Sequence, residues 1–318
     1  MVEGTSGHLN PRLVAVGGGK GGVGKSVLSV GLAWSLASRG HSCVLIDADL
    51  GAANAHTLLG MEMPKRTLGD LFNRQVEDLT ELLEPTVHPN LKLISGAHGM
   101  LEVANLPYAQ KLKLIRKLGD LQSEFIILDL GAGTSFNVLD FFLAADIGLT
   151  VSQPTPTSIE NLYHFLKAAY FRIYKRSLRL ASTAGIAAEM LEHLQQQAYR
   201  SPGDLLAKAH ELDANLGSYL DRALSGFAPR LILNQVRRSE EKQLGEQMAI
   251  ACQDFFGLPV SFMGAVQRDD RVLDAVQARR CVLEAYPRSS FALGVHDLAL
   301  SLLRENEGRM SLERPAAG

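Results

Sequence analysis

The chain has few cysteines and no long apolar segment. Its three cysteines, Cys43, Cys252 and Cys281, lie far apart and form no CxxC pair. This spacing argues against a disulfide framework, a zinc knuckle and an iron–sulfur scaffold, and it fits a reducing compartment. No stretch approaches the roughly 20 apolar residues of a membrane-spanning helix, and MVEGTSGHLNPR lacks the pattern of a signal peptide. We therefore expect a soluble, cytoplasmic protein.

A strong net charge is also missing. The 32 Lys and Arg residues nearly balance the 34 Asp and Glu residues, so the chain as a whole does not attract nucleic acid or anionic lipid. A local excess of cations occurs at Lys167, Arg172, Lys175, Arg176 and Arg179, towards the end of a predicted helix. These residues could touch DNA or an anionic surface. We favour the alternative that they complement the helix dipole.

The sequence contains a series of short apolar runs separated by helical patterns. The runs are Leu13 to Val16, Cys43 to Ile46, Leu91 to Ile94, Phe125 to Leu128, Ile147 to Val151, Leu231 to Leu233 and Val260 to Met263. Continuous apolar runs are typical of strands that are covered on both faces. The pattern predicts an α/β fold, doubly wound, with a mostly parallel sheet flanked by helices.

We expect one domain, residues 12–305, between a disordered N-terminus (1–11) and a flexible tail (306–318). Thr157 and Glu160 form a capping-box pattern that predicts a helix start. The alternation of strands and helices is interrupted at about 181–227. There, a turn at Ser201 to Asp204 and apolar residues at helical spacing predict one long amphipathic helix, which ends near Ala223. This segment is predicted to be an inserted helical hairpin that nucleotide hydrolysis does not require.

The most specific chemical signal is Gly19-Lys20-Gly21-Gly22-Val23-Gly24-Lys25-Ser26, followed by Val27. It lies between a predicted strand and a predicted helix, which is the context of a P-loop. Glycines allow backbone N–H groups to surround the β- and γ-phosphates, Lys25 neutralises phosphate charge, and the Ser26 hydroxyl coordinates Mg²⁺. The sequence therefore predicts a site for ATP and Mg²⁺.

Two other predicted strands end on acids. Asp47 and Asp49 follow one apolar run, and Asp129 follows another. Because the carboxyl ends of parallel strands meet at one edge of the sheet, these acids are expected beside the P-loop. Asp129 fits the Walker B pattern, in which a carboxylate belongs to the magnesium shell. Gly133, four residues later, could bring a backbone N–H to the γ-phosphate.

The segment GGGKGGVGKS resembles the deviant Walker A motif of the MinD/ParA family. In that family the additional lysine, here Lys20, reaches across a dimer interface to the nucleotide bound by the partner. The resemblance implies that Asp49 orients or activates the attacking water and that Asp47 holds Mg²⁺ through water. The alternative for Asp47 is that it only caps the following turn. The resemblance further implies that Asn54 contacts the phosphates across the dimer and that Asn234 reads the adenine edge.

Within the family, the chain resembles the flagellar-number regulators FleN/FlhG most strongly, through stretches such as DADLGAANAHTLLG, GAGTSFNVLDFFLAAD and PTPTSIENLYHFLKA. The resemblance implies a slow ATPase that forms a homodimer when ATP is bound and regulates the position or number of a cellular structure such as the flagellum. A protein partner is also implied. The tail is not an amphipathic membrane anchor, so any attachment to the inner membrane is expected to occur through a partner.

Three alternatives remain open. The first is a DNA-associated partition ATPase, which only the cation-rich helix supports. The second is a nucleotide-dependent scaffold that binds a protein partner through the helical insertion. The third is a small-molecule phosphotransferase, which is disfavoured because no motif for a second substrate is visible and because Lys20 suits dimer chemistry.

Overall fold

The computed structural model describes residues 11–96, 108–181, 184–195, 199, 201–238, 241–257 and 259–313. Within these residues one sheet has the strand order β3-β4-β2-β5-β1-β6-β7-β8. The strands are β1 (Arg12–Gly17), β2 (Cys43–Ala48), β3 (Glu84–Pro85), β4 (Leu91–Ile94), β5 (Phe125–Leu130), β6 (Ile147–Ser152), β7 (Arg230–Val236) and β8 (Ser261–Gln267). All pair in parallel except β3 with β4. The predicted doubly wound sheet is confirmed. The two-residue strand β3 was missed because it has no apolar run.

Helices cover both faces of this sheet. They are α1 (Lys25–Ala37), α2 (Ala55–Leu58), α3 (Leu68–Phe72), α4 (Tyr108–Leu118), α5 (Phe136–Ala144), α6 (Pro156–Leu180), α7 (Ala184–Gln195), α8 (Pro202–Leu212), α9 (Ala214–Leu224), α10 (Glu241–Phe256), α11 (Arg271–Gln277), α12 (Val282–Ala285) and α13 (Ser290–Glu313), with a short 3₁₀ helix at Leu79–Leu82. Buried side chains of α1, α11, α12 and α13 form the core on one face. On the other face, α4, α5 and α6 pack over the sheet centre, and α6 to α10 pack over β7.

The predicted long helix through Ala223 is wrong, because Asp213 divides it into α8 and α9. The Asp213 carboxylate accepts hydrogen bonds from the backbone N–H groups of Asn215 (2.7 Å) and Leu216 (3.0 Å), which makes it the N-cap of α9. Gly217 of α9 lies against the His210 ring of α8, where an added Cβ would be 2.3 Å from Nδ1. The hairpin is therefore α8–α9, and α7 precedes it. Apolar spacing did not reveal the corner because buried residues on both sides of it face the same core.

The insertion is part of the hydrophobic core rather than an appendage. Leu205 of α8 and Leu220 of α9 are fully buried, and they belong to one cluster with Tyr170 and Tyr174 of α6. The Tyr174 hydroxyl also donates to the Pro202 carbonyl (3.2 Å). Removing 181–227 would expose these aromatic rings to water. The expectation that the segment is dispensable is therefore not supported by the packing.

Two helix boundaries differ from expectation. Helix α6 begins at Pro156, and Thr155 is its N-cap. The capping box predicted at Thr157 and Glu160 therefore does not mark the start of this helix. Proline at the first helical position fixes φ and needs no N–H partner, and this sets the start two residues earlier than predicted. At the other end of the chain, α13 continues to Glu313, beyond residue 305 where the domain was expected to end. Residues 1–10 and 314–318 lie outside the described residues.

Candidate nucleotide-binding site

The P-loop connects β1 to α1 at the centre of the sheet, as its sequence context predicted. Lys25 is the first residue of α1, and its side chain is buried with its ammonium group 3.4 Å from the carbonyl oxygen of Lys20. The loop therefore curves around the Lys25 side chain. An arrangement of this kind places both a helix N-terminus and a cation at the floor of the loop, where phosphate groups are favoured.

Two loop glycines are required by close contacts. A Cβ at Gly19 would lie 2.0 Å from the carbonyl oxygen of Asn161 in α6, and one at Gly24 would lie 2.3 Å from Nδ2 of Asn234 in β7. Gly24 also has φ of 93°, which L side chains rarely adopt. The loop is thus fitted closely between α6 and β7.

Three side-chain amides donate to carbonyl groups of the loop. Nδ2 of Asn234 is 2.8 Å from the Val23 oxygen, and the Nε2 atoms of Gln153 and Gln235 are 3.2 and 3.5 Å from the Gly22 oxygen. These bonds hold the two peptide carbonyls outward, away from the loop interior. In the structure the Asn234 amide thus supports the P-loop, and its predicted contact with adenine stays a prediction. Sequence reasoning missed Gln153 and Gln235, although both lie at carboxyl ends of strands.

Asp47 and Asp129 occupy neighbouring positions on β2 and β5. They are paired in register, and both are almost completely buried. Ser29 donates to Asp129 (3.0 Å), and Ser26 also hydrogen-bonds to it. Burial raises the pKa of both carboxyl groups; the charge of Asp47 adds to the effect on Asp129, and the charge of Asp49 adds to the effect on Asp47. Two buried carboxylates beside a serine hydroxyl are hard oxygen donors that need a cation, so the residues fit Mg²⁺.

Lys25 and Asp49 complete the charged part of the site. Burial lowers the pKa of Lys25, while the negative charges of Asp129 and Asp49 act in the opposite direction. Asp49 is half-buried at the end of β2, and its carboxylate lies against Gly131, just after β5. Asp49 is therefore beside the Walker B segment and near the P-loop lysine, as a residue that orients water would have to be.

Asp47 also fixes the loop after β2. Its carboxylate accepts the backbone N–H groups of Asn54 (2.8 Å), Ala55 (2.9 Å) and Asp49 (3.2 Å). The turn-capping alternative for Asp47 thus describes what the structure shows, and a role in holding Mg²⁺ stays a prediction. Asn54 is exposed, and its side-chain amide donates to the Ala52 carbonyl (2.6 Å). The contact of Asn54 across a dimer likewise stays a prediction.

The two lysines of the loop point to different places. The ammonium group of Lys20 donates to the Thr157 hydroxyl of α6 (2.9 Å), on the outer side of the loop, whereas Lys25 lies within it. The backbone N–H of Gly133 donates to the Gly18 carbonyl (3.2 Å), so the predicted bond from Gly133 to a γ-phosphate requires this contact to open. The Lys20 side chain contributes no charge to the floor of its own loop.

Comparisons with known proteins agree with this geometry. Antiactivator FleN of Pseudomonas aeruginosa is 29% identical over 298 residues, which are 92% of this chain and 87% of that protein. The flagellum site-determining protein YlxH of Helicobacter pylori is 33% identical over 160 residues, which are 50% of this chain and 53% of that protein. The structure of septum site-determining protein MinD from Pyrococcus horikoshii, complexed with Mg-ADP, superimposes with a TM-score of 0.63 at 19% identity, covering 92% of this chain and 96% of that one.

None of the described helices combines the length and the apolar composition that crossing a bilayer requires. The family model of the CobQ/CobB/MinD/ParA nucleotide-binding domain matches residues 14–280, which include the P-loop, both acidic strand ends and β7. The chain therefore belongs to the CobQ/CobB/MinD/ParA family of nucleotide-binding domains.

Proposed function

We propose that this chain is an ATP-hydrolysing switch that forms a homodimer when ATP is bound. The observation that carries the proposal is the divergence of the two loop lysines. Lys25 is buried within the P-loop, and Lys20 extends from its outer side. Only Lys25 is placed to neutralise phosphates bound by the same chain. A second cation on the outer side of the loop is suited to the nucleotide of a neighbouring copy.

Binding of the nucleotide follows from the loop. Backbone N–H groups of the P-loop and the N-terminus of α1 would surround the terminal phosphates, with Lys25 beside them. Ser26 and Asp129, and Asp47 through water, would hold Mg²⁺. When bound, this ion neutralises charge that develops on the phosphate oxygens. The amides of Asn234, Gln153 and Gln235 keep the loop in shape, so that little rearrangement is needed.

Hydrolysis requires a group that orients water, and Asp49 is the best placed carboxylate. Unlike Asp47, its side chain is only half-buried, and it lies at the mouth of the site against Gly131. Asp47 is occupied by three backbone N–H groups. Asp49 can therefore accept a hydrogen bond from a water molecule, while Asp47 keeps the surrounding loop in place.

The bond that holds Lys20 in the isolated chain is weak. The Thr157 hydroxyl is neutral, so its bond with the Lys20 ammonium group lacks the attraction between two opposite charges. A polyphosphate carries negative charges, so its contact with an ammonium group gains Coulomb attraction in addition to the hydrogen bond. Lys20 can therefore exchange Thr157 for the nucleotide of a partner when two ATP-loaded chains meet.

The test is the Lys20→Ala variant, with ATP turnover and mass by light scattering as measurements. We expect ATP binding to be retained, dimerisation to be lost, and turnover to fall by roughly 10³-fold or more, the scale of a charge supplied in trans. Lys92→Ala, which removes an exposed lysine from β4, is the matched control and should behave like the parent. A Lys20→Ala protein that dimerises and turns over ATP like the parent would refute the proposal.

We further propose that the switch regulates the number or position of flagella. The support is similarity over most of the chain to a protein named antiactivator FleN and over half of it to a flagellum site-determining protein. Counting flagella by electron microscopy in cells that lack the gene should show altered numbers. Complementation should succeed with the parent gene and fail with the Lys20→Ala gene. Normal flagellation in the deletion strain would instead favour division or partition as the regulated process.

A further inference from the structure

The outer face of α6 carries a basic groove that the nucleotide site does not use. A cavity of about 630 Å³ lies between α5, α6 and α7, and it continues into two neighbouring cavities of about 560 and 530 Å³ that share Arg172 with it. Its side chains include Lys167, Arg172, Lys175, Phe136 and Phe171. We call this surface the α6 groove. It combines cations with aromatic rings.

The helix dipole does not account for these cations. The dipole acts on charges within the last helical turn. Because α6 extends to Leu180, only Arg179 among the basic residues lies in its last turn. Lys167, Arg172 and Lys175 are one to three turns further back. The dipole interpretation favoured from sequence is therefore wrong for most of the cluster.

The charge of the groove is strongly one-sided. Among the described residues that line the three cavities, six are Lys or Arg and the one carboxylate is Asp140. Asp140 is already bound by two of those cations, Lys111 and Arg172. The chain as a whole has a formal charge of -2. The α6 groove is thus a positive region on a slightly acidic protein, and it attracts anionic partners.

Apolar anchoring positions lie among the cations. Phe136, at the start of α5, is 64% exposed although it is a large aromatic residue. The Arg172 guanidinium group is 4.5 Å from the centre of the Phe136 ring, and two hydrogen bonds to Asp140 (both 2.9 Å) fix its orientation. At the far end, Leu180 is 70% exposed. Exposed apolar side chains beside an arginine are typical of surfaces that bind a protein partner.

We infer that the α6 groove binds an acidic segment of a protein partner, with an aromatic or aliphatic side chain of that segment packed against Phe136. Carboxylates of the segment are drawn to the cations of the groove, Lys175 among them, while the cavity beside Phe171 receives the apolar side chain. The enclosed volume suits a few side chains. A cavity of about 630 Å³ does not hold a DNA duplex, and the plane of a membrane surface does not enter a concave groove.

The longer segments of the chain outside the described residues are poor in acidic residues. MVEGTSGHLN and AHGMLEVANLP each contain a single acidic residue, and RPAAG contains none. None of them supplies the several carboxylates that the groove would pair with. A separate partner of acidic composition fits the charge better.

The experiment measures fluorescence anisotropy of a labelled short peptide of Asp and Glu residues with one central Phe, added to the full chain without nucleotide. The parent should bind this peptide more tightly than a version with Lys in place of the acids and a version with Ser in place of Phe. Lys175→Glu and Phe136→Ser should each weaken binding at least about tenfold, which corresponds to about 1.4 kcal/mol. Arg304→Glu, an exposed charge reversal on α13, should leave binding unchanged.

Several outcomes would overturn the inference. The groove does not receive the peptide if replacing the Phe of the peptide by Ser leaves the affinity unchanged. The same conclusion follows if the parent and Lys175→Glu proteins bind the peptide equally. Binding of duplex DNA or of vesicles with anionic phospholipid that depends on Lys175, without peptide binding, would assign the surface to those partners. Self-association that Lys175→Glu abolishes would assign it to a second copy. Circular dichroism confirms that each variant is folded.

Discussion

At the scale of single residues, burial in the nucleotide site disfavours the charged forms of its ionisable side chains. Asp47 and Asp129 are buried side by side, and the positive charge of Lys25 acts on Asp129. Burial raises the pKa of both carboxyl groups and lowers the pKa of Lys25, so each of the three charged forms is disfavoured. The buried charges of the site therefore lower the free energy of unfolding. Binding of a nucleotide and Mg²⁺ raises it again.

The raised pKa of Asp129 predicts how an Asp129→Asn variant responds to pH. Because the folded protein holds the Asp129 proton more tightly than the unfolded chain does, its contribution to stability is present at low pH. That contribution is lost as the pH rises from the ordinary carboxyl range through the raised pKa. The neutral Asn should raise the free energy of unfolding at neutral pH by about 1–3 kcal/mol, since one pKa unit corresponds to about 1.4 kcal/mol. Urea unfolding measures this.

The gain should shrink towards acidic pH, where Asp129 is itself neutral. Additional stabilisation by ATP and Mg²⁺ should be lost in the variant. Asp120→Asn, in an exposed turn, is the control and should change neither quantity. An Asp129→Asn protein that is less stable than the parent at neutral pH would contradict this account of the site.

The amide contacts to the P-loop give a second residue-scale prediction. Gln153→Ala removes one of two donors to the Gly22 carbonyl, so the loop should lose part of its fixed shape. We expect ATP affinity, measured by calorimetry, to fall by up to about tenfold, the equivalent of one hydrogen bond. Gln253→Ala, an exposed glutamine of α10, serves as the control. Unchanged affinity in Gln153→Ala would mean that the contact does not organise the loop.

At the scale of elements, the corner between α8 and α9 determines how these two helices pack against α6. Asp213 ends one helix and caps the next, and Gly217 allows the two helices to approach at His210. Leu220 is thereby brought into the same cluster as Tyr170 and Tyr174. The corner is therefore a structural requirement of the core on this face of the sheet.

We expect Asp213→Ala to lower the free energy of unfolding by about 1 kcal/mol, the usual cost of losing an N-cap. Asp213→Asn keeps a side-chain oxygen that can accept from the N–H groups of Asn215 and Leu216, so it should retain most of the stability. Urea unfolding of both variants makes the comparison. Equal losses in the two variants would show that the charge of Asp213, rather than its capping bonds, matters.

At the scale of the whole molecule, the proposed switch links nucleotide state to assembly. If hydrolysis through Asp49 releases the dimer, a variant that binds ATP without hydrolysing it should accumulate in the assembled state. We therefore expect Asp49→Ala with ATP and Mg²⁺ to have the mass of a dimer by light scattering, and the mass of a monomer with ADP. Glu62→Ala, which removes an exposed acid beyond α2, is the control and should turn over ATP normally. Undiminished turnover in Asp49→Ala would remove Asp49 from catalysis.

The amino-acid sequence by itself determined the sheet, the P-loop and the acidic strand ends. Each of these features is encoded by neighbouring residues: an apolar run forms a strand, and the P-loop motif from Gly19 to Ser26 is one uninterrupted segment of the sequence. Parallel strands then bring their carboxyl ends to one edge, which places Asp47 and Asp129 together. These parts could be predicted because local pattern and sheet geometry are sufficient.

Only the tertiary structure decided the amide contacts, the packing of the insertion and the α6 groove. Gln153 and Gly22 are 131 positions apart, and His210 meets Gly217 through a corner that apolar spacing does not show. The basic residues of α6 line a groove because α5 and α7 lie beside them. Phe136 of α5 contacts Arg172 of α6 there. Contacts between distant residues depend on how helices dock on the sheet, and no local pattern in the sequence specifies that docking.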